Sequence, residues 1–148
     1  MGRVKFRIDS QPVAQGRPRL TTIQGRPRAF DPKKSRDYKA FIKDCAANAM
    51  RKQGIKEPLK GPIIGRMRFG FKLPKSERRK RSPIPRKWHV KRPDLDNLVK
   101  SILDACKDTV YHDDTDISKL VIDKIVCAQD ETPFIMVSFE TMDEFNTS

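Results

Sequence analysis

The chain has 148 residues, of which 34% are charged and 36% hydrophobic, with a formal net charge of +13. That length suits one domain burying its own core, and three widely spaced cysteines (Cys45, Cys106 and Cys127) exclude a disulfide scaffold and argue for buried free thiols in a reducing compartment. No apolar stretch reaches the roughly eighteen residues of a membrane span and "MGRVKFRIDS" lacks an apolar signal-peptide core, so the expectation is a cytoplasmic protein with no membrane partner.

In chain order, "VKFRID" (4–9) alternates, with Val4, Phe6 and Ile8 on one side, and predicts a half-buried strand. The Gly/Pro/Arg-rich residues 11–28 predict a loop or short hairpin. Asp31-Pro32 has the form of an N-cap and first-turn proline, and Tyr38, Phe41, Ile42, Cys45, Ala46, Ala49 and Met50 recur at helical spacing until Gly54. Residues 62–71 predict a second strand, with Ile63, Gly65, Met67, Phe69 and Phe71 on one side and a weak spot at Gly65. Residues 75–92 hold nine Lys/Arg and one Glu, broken by Pro83 and Pro85, and predict a mobile basic loop. Leu95, Leu98, Val99, Ile102, Leu103 and Cys106 predict a second helix to about Lys107, and 119–128 with 133–140 predict a strand pair. The sum is an α+β fold: one domain over 1–148, a small mixed β-sheet packed with helices.

Charge is divided sharply along the chain. Residues 1–92 hold 28 Lys/Arg against 6 Asp/Glu, and residues 93–148 hold 4 against 13. The basic part favours a polyanion, nucleic acid first, because no basic stretch has the apolar face a membrane surface requires. Its candidate DNA contacts are Arg17 and Arg19 in the first loop and Arg78, Arg79, Lys80, Arg81, Arg86, Lys87, Lys91 and Arg92 in the second.

The divide falls at "KRPDLDNLVK" (91–100). Asp94 and Asp96 stand at the entry to the second helix and "HDDTD" (112–116) follows its end. Clustered carboxylates repel unless a cation neutralises them, and an all-oxygen ligand set favours Mg²⁺, which can activate water and hold a scissile phosphate. Lys100, one turn beyond Asp96, would hold an aspartate or meet charge building on the phosphate. The expectation is that the acidic groups at the two ends of this helix meet around one ion. On helix statistics alone an N-cap with a solvated first-turn acid is the commoner explanation of Asp94 and Asp96, by about two to one. Asp96 and Lys100 could equally form a surface ion pair of little worth, and "HDDTD" a polar turn. An EF-hand is excluded, since neither acidic knot has the Gly at loop position six or the Glu at twelve. His89 and His112 are left without a role, and Trp88 could stack on a base or pack on the domain.

"KRPDLDNLVKSILDACKDTVYHDDTDISKL" (91–120) resembles the signature of the RusA-type Holliday-junction endonucleases, a family common in bacterial genomes through prophages. The match lies in "DLDN", a lysine four residues on, "LDA" within the helix and then "DD" before a strand. "PVAQGRPR" and "DPKKSRDYKAF" extend the resemblance to about residues 4–140. It implies an α+β homodimer, in a bacterial cell or a phage-infected host, that binds four-way DNA junctions and nicks two opposed strands in recombination and repair. It implies Mg²⁺, with Mn²⁺ as a substitute, held by Asp94, Asp96 and Asp114, with Asp113 secondary and Lys100 at the family's essential lysine. Two departures bear on the second knot: Asp116 replaces an expected glutamine, and Lys107-Asp108 replaces an Asn-Gly-like turn. A basic DNA-binding protein without catalysis, or a nuclease of other branched DNA, are the alternatives.

Overall fold

The computed structural model describes residues 2–14, 19–23, 26–30, 33–143 and 145, with backbone alone at 19–23, 26–30 and 33–35. The predicted Asp31 cap therefore lies outside the described residues, as does Arg17. Seven strands and two helices follow one another as β1 (Arg3–Ile8), β2 (Arg19–Ile23), β3 (Arg26–Phe30), α1 (Lys33–Lys52), β4 (Ile63–Phe71), β5 (Lys87–Trp88), α2 (Leu95–Cys106), β6 (Ile117–Val126) and β7 (Phe134–Thr141). Five strands form a mixed sheet in the order β1-β7-β4-β6-β5, and β2 and β3 form a separate antiparallel hairpin, as the sequence allowed. The fold is α+β, as expected.

Both helices cover one face of the sheet. Tyr38, Ile42, Ala46, Ala49 and Met50 of α1 and Leu98, Val99, Ile102, Ala105 and Cys106 of α2 pack on Val4, Phe6 and Ile8 of β1, the buried face of β4, and Ile135, Val137 and Phe139 of β7. These are the residues that recur at helical or alternating spacing, so burial of apolar area selected the elements. Gly54 ends the first helical region at φ 74°, a conformation glycine adopts without steric cost. Gly65 is a site of close approach rather than a weak spot: a Cβ there would lie 3.2 Å from the Phe139 ring and 2.9 Å from Leu120.

One expectation is overturned. The strands at the C-terminal end do not pair with each other. β4 lies between them, parallel to β6 (Met67 opposite Ile122) and antiparallel to β7 (Met67 opposite Val137). β4 is apolar over nearly its whole length, with only Arg66 exposed, so it gains most from a central position with neighbours on both edges. The residues between β6 and β7 are numerous enough to step over it, whereas a tight two-residue turn would have forced a hairpin.

The opposite face of the sheet carries cations: Arg3, Lys5 and Arg7 of β1 and Arg66 and Arg68 of β4. Arg68 binds Asp123 through both Nε (2.7 Å) and Nη2 (2.9 Å), Arg66 pairs with Glu140 at 3.3 Å, and Arg7 pairs with Asp9 at 2.9 Å. No helix among the described residues is long and apolar enough to cross a membrane.

Candidate functional site

The second helix positions both acidic groups. Asp94 takes the N-cap position of α2 with extended backbone (φ −72°, ψ 151°), yet its side chain makes no capping hydrogen bond; only its carbonyl accepts, from the Leu98 N–H at 3.3 Å. Asp96 is exposed in the first turn. The capping explanation thus accounts for the position of Asp94 and leaves its carboxylate uncommitted. Lys100 is exposed one turn further on, and among the described residues no ion pair joins it to Asp96. The entry to α2 is held from below by Lys124 of β6, whose ammonium donates to the carbonyls of Lys91 (2.5 Å) and Pro93 (2.8 Å).

At the other end, α2 stops at Lys107 and the chain reverses through Asp108, at φ 62°. This left-handed turn is what an Asn-Gly pair would favour, and aspartate is among the few other residues that tolerate it. Tyr111 is fully buried and donates its hydroxyl to the Leu103 carbonyl at 2.6 Å, tying the following segment back onto the helix. Asp114–Asp116 then form a single 3-10 turn capped by Asp113, whose carboxylate accepts from the Thr115 N–H at 3.2 Å. Gly61 backs this turn so closely that a Cβ would lie 2.9 Å from the Asp116 carbonyl oxygen. Asp113 and Asp114 face one another. Their mutual side-chain interaction raises Asp114 above the ordinary carboxyl value and lowers Asp113 below it. Two neighbouring exposed carboxylates form an oxygen donor pair that a hard cation would neutralise.

The two acidic groups do not meet within one chain. β6 runs back alongside α2, placing Ile117 beside Asp114 and Leu103 at the C-terminal end of the helix and Lys124 at its N-terminal end. Asp94 and Asp96 are therefore separated from Asp113 and Asp114 by about 18 Å, the length of a twelve-residue helix. Among the described residues no group of three or more His, Cys, Asp or Glu gathers to hold a metal ion. The expectation of a common ion at one helix is corrected accordingly: the acidic turn precedes β6 and stays at the C-terminal end of α2, and only the strand that follows it returns to the helix entry.

These two exposed acidic groups flank a helix whose own exposed cation is Lys100, in a chain whose other basic residues lie mostly on other elements. Residues 9–138 match the family described as Endodeoxyribonuclease RusA. The chain belongs to the RusA endodeoxyribonuclease family. It is also similar to "Uncharacterized protein YqaN" of Bacillus subtilis (strain 168), with 31% identity over 129 residues, covering 84% of this chain and 88% of that protein.

Residues 75–92 have more order than a mobile loop. A 3-10 turn occupies Lys75–Glu77, and β5 pairs with the end of β6, Trp88 opposite Ile125. Gln129, in the connection between β6 and β7, makes five hydrogen bonds to the segment. Its side chain accepts from the N–H groups of Arg79 (3.0 Å) and Ile84 (3.2 Å) and donates to the Arg79 carbonyl (2.7 Å), while its backbone N–H donates to Ile84 (2.9 Å). Arg78 donates to the Gln129 carbonyl and Asp130, Arg86 pairs with Glu131 and lies over the Phe134 ring, and Lys87 pairs with Glu77. The sequence missed these anchors: "QDE" at 129–131 has the composition of any polar turn.

The basic candidates consequently divide into two sets. Arg78, Arg86 and Lys87 have acidic partners in their own chain, whereas Arg79, Lys80, Arg81, Lys91 and Arg92 are exposed with none among the described residues. The side chain of Arg19 lies outside the described residues. His89 is neutral at neutral pH, since burial and then Lys124 and Lys91 lower it, and its ring stacks on Phe71. His112 is exposed beside the acidic turn.

The anchors carry a pH dependence. Arg86 lowers Glu131 and Lys87 lowers Glu77 below the ordinary glutamate value of 4.5. A carboxyl depressed by folding contributes its stabilisation above the unfolded-state value and loses it as pH falls through the folded-state value. Acidification below pH 4.5 is therefore expected to release the 75–92 segment, as would Glu131→Gln at neutral pH, and Trp88 fluorescence anisotropy reads it. Unchanged Trp88 anisotropy in Glu131→Gln would show that the ion pair does not hold the segment.

Proposed function

We propose that the protein is a Mg²⁺-dependent, structure-specific endonuclease that binds four-way DNA junctions as a homodimer and nicks two opposed strands in recombination and repair. The observation that carries this reading is the placement of two exposed carboxylate groups, Asp94 with Asp96 and Asp113 with Asp114, at the two ends of α2. Within one chain each group would supply only part of the carboxylate set that could hold a divalent cation. An isologous dimer resolves this, because a two-fold axis that sets the Asp94/Asp96 end of one copy against the Asp113/Asp114 end of the other creates two identical complete sites. A junction has nearly the same symmetry, so two such sites would face two related strands.

Each residue then has a role. Asp94 and Asp96 donate carboxylate oxygens from the helix entry, where Lys124 fixes the backbone. Asp114, with Asp113 beside it, donates from the 3-10 turn, where Tyr111 and Gly61 fix the path. When bound, a divalent cation supplies an activated water and neutralises charge on the phosphate. Lys100 projects from the helix flank of Asp96 to meet the negative charge that builds on the phosphate oxygens. Arg79, Lys80, Arg81, Lys91 and Arg92 hold the flanking phosphates.

A synthetic four-way junction incubated with and without Mg²⁺ tests the reading. Paired nicks in opposed strands are expected with the cation only. Binding without cleavage in both conditions would instead establish a DNA-binding protein without catalysis, the reading favoured if each chain worked alone. Equal cleavage of flaps and four-way junctions would remove the junction specificity.

A further inference from the structure

A cleft of about 440 Å³ opens where β5 meets the chain entering α2. Its walls include Pro12, Phe71, Trp88, His89, Val90 and Pro93, three of them flat aromatic rings. Trp88 and Val90 are 67% and 87% exposed, although hydrogen bonding to β6 fixes the backbone that carries them. A tryptophan held rigidly in solvent has area to cover. The His89 ring lies on Phe71 with centroids 4.3 Å apart and planes inclined by 24°, and its Nδ1 is enclosed without a hydrogen-bond partner. Lys72, Lys91 and Arg92 stand around the opening, exposed and in no direct ion pair among the described residues, while Glu77, which also lines it, pairs with Lys87 and feels the charge of Lys91. Flat apolar walls suit a planar ring and unpaired cations suit phosphate, so a nucleotide satisfies both where a purely apolar ligand or a cationic peptide does not.

We infer that this cleft takes one unstacked nucleobase of the bound DNA, stacked on Trp88, with the adjoining phosphates on Lys91 and Arg92. The inference rests on the reading of the chain as a junction endonuclease and specifies how it selects a position. Bases at a branch point are already incompletely stacked and therefore the least costly to extrude. Pro93 lines the cleft and directly precedes Asp94, so a captured base fixes which phosphate reaches the carboxylates.

The test uses the full chain at saturating concentration, without divalent cation, on four-way junctions carrying 2-aminopurine at the branch point or in the middle of an arm. The branch-point label is expected to change its emission on binding and the arm label is not. Trp88→Ala should reduce base capture roughly tenfold, and Trp88→Phe should retain most of it. Because Trp88 lies outside the core, Trp88→Ala should still fold and bind the junction, which the same titration verifies by anisotropy. Saturated binding with no branch-specific change, or a change that survives Trp88→Ala, overturns the inference. Junction cleavage with Mg²⁺ in the absence of that change removes the cleft alone. The change without cleavage removes the endonuclease reading alone, and failure to bind any junction removes both.

Discussion

Mixing Asp96→Asn with Asp114→Asn is expected to restore nicking that neither variant shows alone. Each substitution replaces a charged oxygen donor by a neutral amide. With several kcal/mol of charge stabilisation at stake, each variant should lose on the order of 10³ in cleavage rate. If every site combines the helix entry of one copy with the acidic turn of the other, a mixed dimer places both substitutions in one site and leaves its second site intact. Random exchange of copies makes about half of the dimers mixed, so roughly a quarter of the wild-type sites return. These dimers can cut one strand only, and the product on a native gel should be nicked junction rather than resolved duplexes. If both acidic groups belonged to one chain's site, every site in the mixture would carry one lesion and the mixture would stay inactive. That outcome would refute assembly across the dimer. The experiment follows from the helix of about 18 Å that separates the two groups in one chain.

Replacing Arg79, Lys80 and Arg81 by alanine should weaken junction binding far more than replacing Arg78 and Arg86. The three are exposed and lack intramolecular partners among the described residues, so each is available to displace a counterion from phosphate. Losing three such contacts should make the slope of log K against log salt shallower by about 2.7, with a large loss of affinity at low salt. Arg78 and Arg86 already pair with Asp130 and Glu131, so their removal should act through the anchoring of the segment and leave the slope nearly unchanged. Equal slopes for wild type and the triple variant, measured by fluorescence anisotropy over a salt series, would exclude this segment as a phosphate contact.

Most elements were legible because each buries one face. α2 shows this most clearly: six apolar positions at helical spacing predicted Leu95 to about Lys107, and the helix runs Leu95–Cys106. Alternation predicted β1 and β4 for the same reason. What failed was pairing. β6 and β7 are adjacent in sequence with strand-like composition, but which strand lies beside which depends on how much apolar area each buries on both sides, and β4 buries more. The order of the 75–92 segment was illegible because its anchors, Gln129 to Glu131, lie 45 to 52 residues away and act through single side chains.

By itself, the sequence determined the α+β class, the separation of a basic part from an acidic one, the residues bracketing α2 and the family resemblance. These depend on local spacing and residue type. Only the tertiary structure decided that the bracketing carboxylates stand a helix length apart, that three of the basic residues are held by their own chain, and that Trp88 overhangs a cleft beside Asp94. Those facts depend on the direction of β6 along α2 and on contacts between distant segments. Strand direction is fixed when the whole sheet assembles, and no local pattern of residues encodes it.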